Sequence, residues 1–159
     1  MLNIRAAQPE DTLEIFNLIK ALAKYEKLSD YCTGNVSDLE QHLFSDRPYA
    51  EAILGEWENK IVGFALFFPN YSTFLTKPGI YLEDLFVLPD YRRRGIGRAM
   101  LTYLGKLALA RGAGRLEWSV LDWNQSAIAF YQDMEATVLP DWRICRVRED
   151  ALETLAGRE

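Results

Sequence analysis

Histidine occurs once in the 159 residues, as His42, and cysteine twice, as Cys32 and Cys145. Neither cysteine belongs to a CxxC pair and no second histidine stands near the first, so the spacing of a zinc site is missing. Two such thiols are expected to be buried and reduced rather than bridged. No apolar run approaches the roughly 20 residues that cross a bilayer, so no membrane partner is expected. The opening Met1-Leu2-Asn3-Ile4-Arg5 lacks the basic-then-apolar pattern of a secretory signal, which leaves the cytoplasm as the expected compartment. Surplus positive charge is missing too: the formal net charge is −5, which disfavours a nucleic-acid binder and is compatible with a cationic ligand. Low-complexity tracts, repeats and linkers are absent.

What remains is the composition of a globular protein, 49% hydrophobic and 26% charged, with four Trp, eight Tyr and eight Phe to fill a core. The length suits one domain over residues 1–159. Leu2 to Ala6 reads as a strand. Pro9-Glu10-Asp11 starts a helix, in which Ile15, Phe16, Ile19, Leu22 and Ala23 recur at helical spacing. Ser37-Asp38-Leu39-Glu40 fits a capping box opening a second helix through Leu43 and Phe44. From Tyr49 the pattern becomes that of strands. Tyr49 to Trp57 and Lys60 to Phe68 flank a hairpin turn at Glu58-Asn59, and Gly79 to Leu88 is a third strand. After the loop Pro89 to Arg94 comes a long helix, Gly95 to Arg111, with Ile96, Met100, Leu101, Leu104, Leu107 and Ala108 on one face. Gly112 and Gly114 end it. Arg115 to Leu121 is a strand, Ser126 to Met134 a helix, and Trp142 to Arg148 a late strand. Strands alternating with helices after an early hairpin predict an α/β (α+β) domain, its mixed sheet flanked by helices on both faces.

The strongest local signal is Arg92-Arg93-Arg94-Gly95-Ile96-Gly97, between an apolar strand and the long helix. A helix that opens on glycine presents unpaired backbone N–H groups and the positive end of its dipole. Arg92, Arg93, Arg94 and Arg98 add charge-assisted donors. This chemistry suits a diphosphate. A Walker loop is excluded because Gly-x-x-x-x-Gly-Lys-Ser/Thr does not occur. A dinucleotide fingerprint would need glycine where Met100 stands. Upstream, Glu83 and Asp84 sit side by side within Tyr81-Leu82-Glu83-Asp84-Leu85-Phe86. Carboxylates in an apolar strand are costly unless paired or functional; a solvated sheet edge and an ion pair with arginine are the other readings.

With these residues in hand, Leu85-Phe86-Val87-Leu88-Pro89-Asp90-Tyr91-Arg92-Arg93-Arg94-Gly95-Ile96-Gly97 resembles the acetyl-CoA motif of the GCN5-related N-acetyltransferase (GNAT) family. Within that family the chain is most similar to the spermidine/spermine (diamine) and thialysine acetyltransferases. Ile19-Lys20-Ala21-Leu22-Ala23-Lys24-Tyr25-Glu26, Tyr81 to Val87, Trp123 to Tyr131 and Trp142-Arg143 carry this closer match.

The resemblance implies a centrally splayed sheet and a metal-free enzyme that moves an acetyl group from acetyl-CoA to a primary amine. It places the diphosphate on Arg92, Arg93, Arg94, Gly95, Ile96, Gly97 and Arg98, the pantetheine along the main chain of Phe86 and Val87, and Asn124 near the cofactor. An ammonium, with an ordinary pKa of about 10.4, must lose a proton before it attacks. Glu83 is the implied base. Tyr131 is the implied acid for the leaving thiolate and also touches the cofactor. Tyr25, Glu26, Glu83 and Asp84 would line the groove for a small cationic amine, and a homodimer would help enclose it. Ser72 to Pro78, expected at the same groove, holds no acidic residue, which weakens the case for a polyamine. A protein or peptide acetyltransferase and a non-catalytic acyl-CoA-binding module are the rival readings. One departure stands out: Glu135 occupies the position where the family usually has a glycine after the tyrosine.

Overall fold

The computed structural model describes residues 1–158, which divide into two compact units, Met1–Ser119 and a second beginning at Val120. In the first unit β1 (Leu2–Ala6), β2 (Glu51–Trp57), β3 (Lys60–Ser72) and β4 (Lys77–Val87) form antiparallel neighbours in that order, and β5 (Leu116–Glu117) joins β4 in parallel. The sheet is therefore mixed. The β2–β3 hairpin turns on Glu58 and Asn59, both left-handed (φ 50° and 66°). Two left-handed residues match the strand twist, so the turn forms without glycine.

Helices cover both faces. α1 (Thr12–Tyr25) and α2 (Val36–Phe44) bury Ile15, Leu18 and Leu43 against Ala52, Leu54, Phe64 and Phe86. α3 (Ile96–Ala110) lies on the opposite face, near enough that side chains at Gly55 and Gly63 would strike it. A Cβ at Gly55 would come 2.9 Å from Ile96 Cγ2, and one at Gly63 3.3 Å from Met100 Cε. The closeness of α3 to the sheet explains Gly55, whereas at Gly63 the tightest neighbour of such a Cβ is the Phe86 carbonyl oxygen on β4's main chain, at 2.9 Å. α3 ends as its glycine signal predicts: Gly112 is left-handed (φ 70°) and the Ala113 N–H reaches back to the Ala108 carbonyl at 2.9 Å.

Several expectations need correction. The opening Pro9–Asp11 is a separate 3-10 turn, whose Asp11 carboxylate accepts from the Gln8 N–H and from Arg5. α2 begins one residue before Ser37, and its cap is Asn35, which accepts from the Asp38 N–H at 2.8 Å. The side chain that meets the orphan donor sets the boundary, and an asparagine two residues upstream does so. Asn35→Ala is accordingly expected to cost about 1 kcal/mol, read as a fall in Tm of about 3 °C. The strand expected over residues 115–121 shortens to Leu116–Glu117. Both cysteines are free, but Cys32 is half-buried and Cys145 exposed, not buried.

The second unit holds α4 (Gln125–Asp133) and α5 (Asp150–Ala156). Trp142 to Arg148 forms no strand. The alternation of Trp142 and Ile144 is there, but no ladder partner hydrogen-bonds to it among the described residues, and both side chains are exposed. α5 carries no strong sequence signal.

Candidate active site

The ladder between β3 and β4 slips where the two carboxylates stand. Leu66 lies opposite Asp84, and the next residue, Phe67, lies opposite Leu82. Glu83 is thus the extra residue of a β-bulge, a device that re-aims side chains and recurs beside active sites. In a regular strand the side chains of Glu83 and Asp84 would leave opposite faces. Asp84 shares its face with Phe86 and with Leu66, both packed in the α1–α2 core layer, and Glu83 is exposed.

Glu26 reaches the same place from the end of α1, where its N–H caps the helix on the Leu22 carbonyl. Burial raises the Glu26 carboxyl above its ordinary value. Asp84 is pushed up to about 7, first by burial and then by repulsion from Glu83 and Glu26. Among the described residues no ion pair joins a cation to any of the three. Uncompensated carboxylates brought together cost free energy unless a cation arrives. Two aromatic rings, Tyr25 and Phe86, stand 6.3 Å apart on this side of the sheet, and Phe68 and Tyr81 pair at 5.4 Å further along.

β5 pairs only with Ile80 and Tyr81, so β4 from Leu82 to Val87 has no β5 partner. This is the splay that leaves a strand's main chain available to an extended ligand. Val87 also gives its carbonyl to Arg92 Nε at 2.9 Å.

The loop after β4 makes a 3-10 turn (Pro89–Tyr91) and then takes Arg93 and Gly95 left-handed, at φ 62° and 80°. Gly95 is the N-cap of α3. It offers no side-chain cap, and a Cβ built on it meets nothing within 4 Å. The Ala99 N–H is the donor to the Gly95 carbonyl, so Ile96, Gly97 and Arg98 precede the helix's own ladder. This is an anion cradle with room in front of it. The arginines are not equivalent. Arg94 lies 5.2 Å from both the Trp57 and Tyr91 rings and donates to the Asp90 carbonyl at 3.3 Å. The Arg92 guanidinium lies 4.5 Å from the Tyr25 ring and 5.4 Å from that of Phe86, turned onto the α1 face of the sheet.

In the second unit Asn124 caps α4 by accepting from the Ala127 N–H at 3.2 Å. Tyr131 lies on the same helix, half-buried, its ring 5.4 Å from Phe130. Glu135 is left-handed (φ 71°). The backbone conformation that favours glycine is kept although the glycine is not, at about 1 kcal/mol.

The acetyltransferase (GNAT) family model matches residues 20–135. The chain belongs to that family. An L-ornithine N5-acetyltransferase of Arabidopsis thaliana is 35% identical, over 96% of this chain and 86% of that protein. A thialysine N-epsilon-acetyltransferase of Bos taurus is 34% identical, over 98% and 97%. A spermidine/spermine N(1)-acetyltransferase-like protein of Homo sapiens is 31% identical, over 98% of this chain but 24% of that protein. Among solved structures, an integron cassette protein of V. cholerae superposes with a TM-score of 0.82 at 24% identity, covering 99% of this chain and 98% of that one; it supports the fold alone. This GNAT protein is an acyltransferase, and its sequence relatives are N-acetyltransferases of small amines.

Arg92's turn onto Tyr25 and the bulge at Glu83 were not visible beforehand. The first depends on a side-chain direction, the second on a pairing register, and neither leaves a local pattern.

Proposed function

We propose that this GNAT protein transfers the acetyl group of acetyl-CoA to the side-chain amine of a small cationic amino acid of the ornithine or thialysine kind. The observation that carries the acceptor is the convergence of Glu26, Glu83 and Asp84 without a cation of their own. Three carboxylates beside aromatic rings suit a compact ammonium. The full-length relatives act on amino acids, and Ser72 to Pro78 adds no acidic residue for a longer polyamine.

The loop fits the cosubstrate. Gly95 leaves the cradle open, the helix start supplies N–H donors, and Arg93 and Arg98 add positive charge to the same turn. When bound, acetyl-CoA supplies an activated acetyl group as a thioester. Arg93, Arg94, Gly95, Ile96, Gly97 and Arg98 hold its diphosphate, and the main chain of Phe86 and Val87 holds the pantetheine, at Val87 through its N–H because Arg92 takes the carbonyl. Asn124, which caps α4, joins the cofactor-binding residues on the family resemblance. In this reading Glu83 takes a proton from the ammonium, directly or through water. The freed amine forms the new C–N bond as the C–S bond breaks, the Tyr131 hydroxyl gives its proton to the leaving thiolate, and the second proton lost from nitrogen as the amide forms returns Tyr131 to the phenol. One catalytic domain over residues 1–159 is part of the proposal, supported by a family match that runs through the boundary at Ser119. A homodimer in the cytoplasm belongs to it on the family resemblance.

The test is thiol release from acetyl-CoA with ornithine, thialysine, lysine, spermidine and a lysine-containing peptide. Ornithine or thialysine should give the highest kcat/KM. Turnover of the peptide alone, or of no amine, would overturn the assignment. In the same assay Tyr131→Phe should lower kcat about a hundredfold with acetyl-CoA affinity unchanged, as loss of a general acid does.

A further inference from the structure

The first arginine of the Arg-x-x-Gly-x-Gly motif does not lie with the helix start. Its Nε is spent on the Val87 carbonyl at 2.9 Å, and its guanidinium carbon lies 4.5 Å from the centre of the Tyr25 ring and 5.4 Å from that of Phe86. Each of the two rings adjoins one of the carboxylates. Tyr25 immediately precedes Glu26 at the end of α1, and Phe86 follows Asp84 by two on the same face of β4. No ion pair joins Arg92 to either carboxylate, so it does not neutralise them. It ties the end of α1 to the end of β4 from the loop that precedes α3.

We propose that Arg92, bridging Val87, Tyr25 and Phe86, is a positioning residue for the amine pocket and not a ligand of the cofactor's phosphates. This rests on the amine-acetyltransferase reading above and assigns that site a residue outside the groups that touch either substrate. A guanidinium can stack on two rings while donating in its plane, which an ammonium cannot do. Holding Tyr25 and Phe86 fixes the spacing between Glu26 and Asp84, and that spacing decides how well one ammonium satisfies both. The motif arginine would then link the loop that receives acetyl-CoA to the wall that receives the amine.

The experiment separates the two substrates. For wild type, Arg92→Met and Arg92→Lys, the dissociation constant of CoA is measured by calorimetry, and kcat and KM are measured for the best amine. Arg92→Met keeps an apolar stem but loses the donor and the cation. It should leave CoA affinity within about threefold of wild type and raise the amine KM about tenfold or more. Arg92→Lys retains charge and should recover only part of the amine KM, with CoA affinity again unchanged. Should Arg92→Met not fold, the lysine variant alone carries the test. A fall in CoA affinity of about tenfold or more in either variant overturns the proposal, whether or not the amine KM moves, because it makes Arg92 a phosphate ligand. An unchanged amine KM overturns it as well. If wild type itself binds no CoA, the failure lies with the enzymatic reading and not with Arg92.

Discussion

Glu83→Gln is expected to lower kcat about a hundredfold, because it removes the carboxylate that takes the amine's proton. The change keeps the shape of the side chain at an exposed bulge position, so stability should hardly move. A rate within about threefold of wild type would remove Glu83 as the base. Its neighbour behaves differently. Asp84 is pushed up to about 7 by burial and by Glu83 and Glu26, so near neutrality it is charged in only part of the molecules. A carboxyl raised in the folded state favours folding below its ordinary range, and that contribution is lost as pH rises through about 7. Wild type should therefore lose stability between about pH 4 and about pH 7 relative to Asp84→Asn, which lacks the titration. A bound ammonium reverses the balance, since it favours the charged carboxylate. Amine binding should release a proton near pH 7, and kcat/KM should climb over the same interval. In Asp84→Asn the climb disappears and the amine KM rises. Parallel pH profiles for the two proteins would contradict this account.

The second large effect is expected at Gly95. Its φ of 80° is one that aspartate and asparagine adopt more readily than other side chains, and a Cβ there meets nothing. Gly95→Asp should therefore fold, with a carboxylate placed at the positive end of α3, where it is electrostatically welcome. A diphosphate would be repelled from that position, and CoA affinity should fall by about a hundredfold. Gly95→Asn separates bulk from charge: it adds nearly the same atoms without the repulsion and should lose much less.

Much of this architecture could be read before any coordinates. β1, the hairpin at Glu58-Asn59, α1 and α3 follow from apolar spacing and from local turn and cap chemistry. Gly112 ends α3 for the reason the sequence suggests. Glu83, Asp84 and Glu26 could be named from their apolar surroundings and the family resemblance, and the fold brings all three together. What stayed hidden depends on partners distant in the chain. The slip of register at Glu83 arises from pairing with Leu66 and Phe67, so no window on β4 shows it. The cap at Asn35 was masked by an equally plausible signal at Ser37. Trp142 to Arg148 carries the alternation of a strand, but alternation reports which side chains could share a face, not whether a neighbouring strand is there to pair with it. The four arginines look alike in sequence, yet Arg92 packs on Tyr25 and Phe86 while Arg94 packs on Trp57 and Tyr91.

The central claim is that the turn opening α3 grips the diphosphate of CoA. Calorimetric titration of CoA into wild type, Gly95→Asn and Gly95→Asp tests it most directly, with Tm recorded for each protein. One tight site in wild type, a modest loss in the asparagine variant and a loss of about a hundredfold in the equally folded aspartate variant is the predicted series. Equal affinity in all three proteins would place the cofactor elsewhere and contradict the account.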